Sequence, residues 1–64
     1  MVITWKAVAG ELANFGPDQV IILDVTGDTA SVYYLDEDTA ERQGHELGEE
    51  GAFNCPLSAL TKPA

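Results

Sequence analysis

The sequence predicts a small all-β domain, and three observations support this fold class. Two runs rich in β-branched and aromatic residues, at 20–25 and 30–35, flank a Gly-Asp pair that is typical of a hairpin turn. The 64 residues suffice for one domain, which we expect to span residues 1–64. Apolar residues make up 45% of the chain, which a disordered protein would lack.

The predicted hairpin is the clearest element of the sequence. In its second run Val32 and Tyr34 share one face, and Tyr33 and Leu35 share the other, because side chains alternate along a strand. In its first run both alternating sets are apolar, with Val20 on one face and residue 21 on the other. A strand that is apolar on both faces is buried on both or lies against a partner.

The N-terminal stretch before the Gly16-Pro17 turn has two interpretations. We expect a strand over residues 2–7, since its β-branched and aromatic residues favour one, followed by an irregular or single-turn segment. The alternative is an α+β fold, with an N-terminal helix packed on a three-stranded antiparallel sheet. Gly10 weakens such a helix by about 1 kcal/mol. The helical alternative depends on apolar residues at helical spacing: Trp5, Val8, Leu12 and Phe15.

Residues 36–51 are predicted to form a long acidic loop between strands. Three glycines interrupt it, and Leu47 is its apolar anchor. Part of it, residues 39–47, is compatible with one helical turn or an exposed strand. We then expect a short strand ending at Pro56, a turn in which two leucines face the same way, and a frayed end over the last four residues.

This order of elements resembles small SH3-like barrels of bacterial origin. Those chains often have Gly-Asp turns between alternating strands, a variable loop, and a short strand that closes with P-x-x-x-L. The resemblance covers residues 16–61 and implies a fold, not an activity. Its matching positions are Gly16, Val20, Ile22, Val25, Gly27, Asp28, Ala30, Val32, Tyr34, Leu35, Pro56, Leu57 and Leu60.

One enzyme family of this kind is the plasmid-encoded type II dihydrofolate reductases, which act as tetramers around a central pore. The stretches 13–20 and 56–63 resemble theirs loosely. Their pore uses a Val-Gln-Ile-Tyr run, whereas the corresponding stretch here, residues 52–55, reads Ala-Phe-Asn-Cys. Since the key Gln and Tyr are missing, we do not transfer the activity and expect no enzyme.

Charge restricts the partners that this chain can bind. Three basic residues face eleven acidic ones, a formal net charge of −8. Binding to nucleic acid depends on Lys and Arg that neutralise phosphates, so nucleic acid and anionic membranes are not expected partners. A protein with a basic surface is the natural partner, and self-association is the alternative.

Metal and catalytic sites are not expected either. From Asp36 onwards the spacing of oxygen ligands fails the EF-hand pattern, and His45 lacks the second histidine that a zinc-protease helix needs. One cysteine and one histidine cannot make a four-ligand Cys/His zinc site in one chain. Cys55 is therefore interpreted as a small buried hydrophobic residue, and no cofactor is expected.

The sequence leads to three functional hypotheses. The first is a protein–protein interaction module in which acidic residues steer a basic partner and an exposed tyrosine anchors it. The second is an acidic DNA mimic that inhibits a nucleic-acid enzyme, for example in phage defence or repair, and the third is an oligomeric enzyme or enzyme subunit. The residues assigned to partner binding are Tyr33, Asp36, Glu37, Asp38, Glu46, Glu49 and Glu50.

The cellular location is predicted from the first ten residues, the longest apolar run and the single cysteine. The first ten residues have no basic region followed by an apolar stretch of secretory length, and the longest apolar run, Val20–Leu23, is far shorter than a membrane span. We therefore expect a cytoplasmic protein with a free thiol.

Overall fold

The computed structural model describes residues 6–63, which form a curled, five-stranded antiparallel sheet, in effect half of a small barrel. The all-β fold class is therefore confirmed. The strand order is β4-β3-β2-β1-β5. The elements in chain order are β1 Leu12–Phe15, β2 Asp18–Thr26, β3 Thr29–Tyr34, α1 Glu37–Gln43, a 3₁₀ turn Gly48–Gly51, β4 Phe53–Pro56, a 3₁₀ turn Leu57–Ala59 and β5 Leu60–Thr61.

The predicted hairpin is β2 and β3, joined at Gly27-Asp28. Gly27 has a φ of 59°, a left-handed conformation that glycine adopts without steric cost. The register runs from Val20 opposite Tyr34 to Thr26 opposite Thr29, and it shifts between Ile22 and Asp24. This β-bulge bends the long strand and increases its twist, which helps the sheet to curl.

One face of the sheet forms the core. Every second residue of β3 is buried, and Tyr34 is among them, as its alternation predicted. The helix α1 and β4 contribute Ala40 and Cys55 to the same cluster. Burial of this face supplies the main stabilisation of so small a domain. The whole cluster is Ala13, Val20, Ile22, Ala30, Val32, Tyr34, Ala40, Cys55 and Leu60.

The predicted irregular segment before the first turn is wrong, since Leu12–Phe15 is strand β1. It pairs with β2 through Gly16-Pro17, and its Ala13 is fully buried. The helical alternative is also wrong for this stretch. The backbone N–H and C=O groups of β1 are paired with those of β2 and β5 instead of with each other in a helix. Of the strand predicted over residues 2–7, residues 2–5 lie outside the described part, and Lys6 and Ala7 are in neither helix nor strand.

The predicted acidic loop, residues 36–51, contains helix α1, which its glycine-rich and polar composition did not indicate. Asp36 is the N-cap of α1, and its carboxylate accepts hydrogen bonds from the Thr39 backbone N–H at 3.0 Å and from the Thr39 hydroxyl at 2.9 Å. Gly44 ends the helix with a φ of 75°. Helix α1 thus has about two turns rather than one, and it starts at Glu37, two residues earlier than predicted.

The C-terminal elements follow the prediction up to residue 60. Strand β4 ends at Pro56, and a 3₁₀ turn carries Leu57 and then Leu60 against the core. The end is not frayed as far as Thr61, since β5 pairs with β1 through Asn14 and Phe15. This pairing places the first strand of the described chain next to the last strand in the sheet.

Candidate interaction surface

The outer face of the sheet carries an apolar row across three strands. Leu12 lies opposite Ile21, and Ile21 lies opposite Tyr33. All three side chains are half-buried, because each points away from the core face. Leu23 lies next to the row within the bulge and is 38% exposed. We call Leu12, Ile21 and Tyr33 the outer row.

A polar row borders the outer row on the same face. Asp24 lies opposite Ser31, and Ser31 lies opposite Asn54. With Thr26 and Thr29 these side chains line a shallow groove of about 280 Å³. The outer face is therefore amphipathic, with apolar side chains along the middle of the sheet and hydrogen-bonding side chains nearer the β2–β3 turn.

The predicted acidic residues divide between two segments. Glu37 and Asp38 are exposed in the first turn of α1, where a negative charge is favoured by the helix dipole. Asp36 has a structural task as well, because one of its carboxylate oxygens caps the helix. Glu46, in the connection after α1, is also exposed, as are the two glutamates of the first 3₁₀ turn.

Both acidic segments rest against strand β3. The helix α1 and the 3₁₀ turn Gly48–Gly51 each contact that strand. The connection between them is packed closely, because a side chain on Gly51 would overlap the backbone of Glu46. His45 lies in the same connection, with its ring 4.6 Å from the Phe53 ring and 5.7 Å from the Tyr34 ring. These contacts hold the backbone of the connection against the sheet.

The structure brings Tyr33 and the acidic segments to the same strand but to different faces. Tyr33 is in the outer row, whereas Ala40 of α1 packs in the core on the inner face. The two surfaces meet at the end of β3, where Leu35 is 44% exposed and Asp36 begins the acidic stretch. A partner that contacted both would therefore wrap around this end of the strand.

His45 and Cys55 have packing environments rather than reactive ones. The imidazole of His45 is half-buried and packs beside the rings of Tyr34 and Phe53, which also contact each other. Burial raises the pKa of the Cys55 thiol, which disfavours the thiolate that a nucleophile needs. Among residues 6–63 there is no cluster of three or more potential metal ligands of the His, Cys, Asp or Glu type.

Sequence reasoning missed two features of the surface. The outer row was not assigned, although the apolar residues on both faces of the first run indicated an unusual outer face. Asp18 was also missed. Its side chain lies at the start of β2, 3.9 Å from the guanidinium of Arg42 and 3.5 Å from the side-chain amide of Gln43. Nothing in the local sequence signals this contact, since it joins residues that are 24 or 25 positions apart.

Comparison with protein-family models, with curated proteins and with solved structures gave no significant match.

None of the helices in the described part of the chain is long and apolar enough to cross a membrane.

Proposed function

We propose that this protein is a small interaction module that docks a protein with a basic surface. One observation carries the proposal: a half-exposed apolar row containing Tyr33 and two segments bearing exposed carboxylates are all supported by strand β3. Protein-binding surfaces combine an apolar patch with a polar or charged rim, and here the two parts meet at the end of β3, around Leu35 and Asp36.

The two parts of the surface have different tasks in this proposal. The carboxylates act at long range and attract a basic partner before contact, which raises the association rate. The outer row acts after contact, since Tyr33 and Ile21 bury apolar area that is now partly in water. The acidic residues in this role are Asp36, Glu37, Asp38, Glu46, Glu49 and Glu50.

We further propose that the half-barrel is SH3-like. The strand order and the path from Pro56 through a 3₁₀ turn to Leu60 support this assignment, because the sequence resemblance implied a short closing strand with that spacing. A reducing compartment such as the cytoplasm suits the module, since Cys55 is a buried free thiol.

The proposal is tested by capturing partners on the immobilised protein at low salt and measuring their association rates. We expect a captured basic protein to associate more slowly with Glu49→Gln/Glu50→Gln than with wild type. The matched control is Glu11→Gln/Asp28→Asn, which removes the same charge from exposed positions on other segments and should have a smaller effect.

Three results would reject the proposal. One is an association rate that does not fall as salt rises, because steering by exposed charges is screened beyond about 8–10 Å at physiological ionic strength. Another is an equal effect of both double variants. A third is displacement of the captured protein by excess duplex DNA with no effect of Tyr33→Ala, which would favour DNA mimicry instead.

A further inference from the structure

A polar cleft separates the β1–β2 turn from helix α1. Its volume is about 560 Å³, and it is open to solvent. Strands β1 and β2 contribute Asn14, Asp18 and Gln19 on one side, and Asp36 and Arg42 lie on the helix side. Hydrogen-bond acceptors dominate the lining, which includes Asn14, Asp18, Gln19, Asp36, Thr39 and Arg42.

Asp18 is the most unusual side chain in this cleft. It is only 10% exposed, yet its contacts are weak: the Gln43 amide lies 3.5 Å from one carboxylate oxygen and the Arg42 guanidinium lies 3.9 Å from the other. A carboxylate has room for about four hydrogen bonds, and a charged group removed from water needs strong partners. Asp18 thus lines the cleft with two long contacts, and both come from α1.

Arg42 has a guanidinium group at the edge of the cleft, but it does not form a hydrogen bond with Asp18. Its guanidinium donates to the Thr39 hydroxyl at 3.2 Å, and its side chain is 66% exposed. The separation of 3.9 Å from Asp18 is beyond hydrogen-bond range. Arg42 is thus hydrogen-bonded to Thr39 and not to Asp18, and Asp18 lines the open cleft beside it.

We infer that this cleft receives an arginine side chain of the basic partner, with Asp18 as the receiving carboxylate. Asp36 adds a second negative charge, because only one of its oxygens is used for the helix cap. The amide side chains of Asn14 and Gln19 offer further acceptors around it. A planar guanidinium with five donors fits such a set better than the compact ammonium of lysine.

The inference deepens the proposed function, on which it relies for the identity of the partner, but its test does not need that partner. Nα-acetyl-arginine methylamide is titrated into ¹⁵N-labelled protein, with the lysine and citrulline analogues as comparisons. We expect saturable shifts at the amides of Asp18, Gln19 and Thr39 with the arginine probe. The lysine probe should bind several-fold more weakly, and the neutral citrulline probe should not saturate.

Two variants identify the receiving carboxylates. Asp18→Asn should weaken the arginine probe at least tenfold. Asp36→Asn should weaken it several-fold while keeping the helix, since asparagine also serves as an N-cap. Glu11→Gln is the matched control, because it removes an exposed carboxylate that does not line the cleft, and it should leave the affinity unchanged.

The inference is overturned if the shifts do not saturate, if lysine binds as well as arginine, or if both carboxylate variants bind the probe as wild type does. Should Asp18→Asn lose its folded spectrum, the Asp36→Asn titration decides alone. A cleft that binds the probe when no basic partner is captured would uphold the arginine site and reject the docking function, and with it the origin of the arginine. Capture of a basic partner by a protein that does not bind the arginine probe would support the docking function and reject the arginine cleft.

Discussion

The backbone of Gly51 packs directly against the backbone of Glu46, so that even a methyl group at residue 51 would overlap the Glu46 carbonyl. This contact closes the connection between α1 and β4 and holds the exposed glutamates of the 3₁₀ turn against β3. The backbone of the acidic segment is thus a packed part of the domain, and it places the glutamate side chains beside strand β3.

We expect Gly51→Ala to lower the free energy of unfolding by about 1–3 kcal/mol, because the added methyl forces the backbone of Glu46 to move. Urea denaturation followed by far-UV circular dichroism measures it. Gly48→Ala is the comparison: Gly48 has a φ of 77° with open space around it, so that its substitution should cost about 1 kcal/mol through backbone strain alone. A Gly51→Ala protein as stable as wild type would show that the two backbones are not in contact.

Asp36→Ala should destabilise the domain by about 0.5–2 kcal/mol through loss of the α1 cap. Asp36→Asn removes the same charge but keeps a capping side chain, and it should retain most of that stability. Thermal unfolding of the two variants separates the cap from the charge. If both variants were equally destabilised, the negative charge and not the hydrogen bond to Thr39 would be what matters.

The two tyrosines of β3 should respond differently to truncation. Tyr34→Ala removes a ring from the core, where it lies 5.2 Å from the Phe53 ring, and should cost about 3–5 kcal/mol or prevent folding. Tyr33→Ala removes a half-buried ring from the outer row and should cost distinctly less. Chemical denaturation of both proteins measures the difference, and a larger loss for Tyr33→Ala would reverse the assignment of the faces.

Alkaline pH should destabilise the fold. Burial first, and then the charges of Asp18 and Cys55, raise the pKa of Tyr34, and burial raises the pKa of the Cys55 thiol. Both groups therefore stay protonated and neutral up to a higher pH in the folded state than in the unfolded state. Their contribution is fully present below the unfolded pKa values, about 8.5 for cysteine and about 10 for tyrosine, and is lost as pH rises through the folded values.

Urea midpoints between pH 7 and pH 11 measure this loss. Cys55→Ala should remove the part of the decline that begins near the ordinary thiol pKa. In the wild-type protein a thiol reagent at neutral pH should react with Cys55 far more slowly than with the denatured chain, since this side chain is buried. A stability that stayed constant up to pH 11 would contradict the directions of both pKa shifts.

The elements with local signals were predictable, and those that depend on distant contacts were not. The β2–β3 hairpin was evident because alternation and turn chemistry agree over residues 20–35. Strand β1 was missed because four residues with a central buried alanine carry little periodicity, and pairing with β2 and β5 decides their conformation. Helix α1 was underestimated because its core contact is provided by Ala40, a residue that polarity-based reasoning ignores.

In the candidate surface, too, features with a local signal were predictable and features that depend on distant contacts were not. Exposure of the acidic residues and burial of Tyr34 followed from charge and alternation. The sequence indicated an apolar outer face for the first run but not the outer row itself, which needs the register that places Leu12 and Tyr33 on either side of Ile21. The contact of Asp18 with Arg42 likewise depends on how α1 folds back over the first turn.

The binding footprint on the labelled protein tests the central claim most directly. A basic partner captured at low salt is titrated into ¹⁵N-labelled wild type, and the perturbed amides are mapped onto the sheet. The account predicts a footprint that joins Tyr33 and Leu35 to the acidic segments around Asp38 and Glu49 and that weakens as salt rises. A footprint confined to the β2–β3 turn or to β5, with the end of β3 unperturbed, would contradict it.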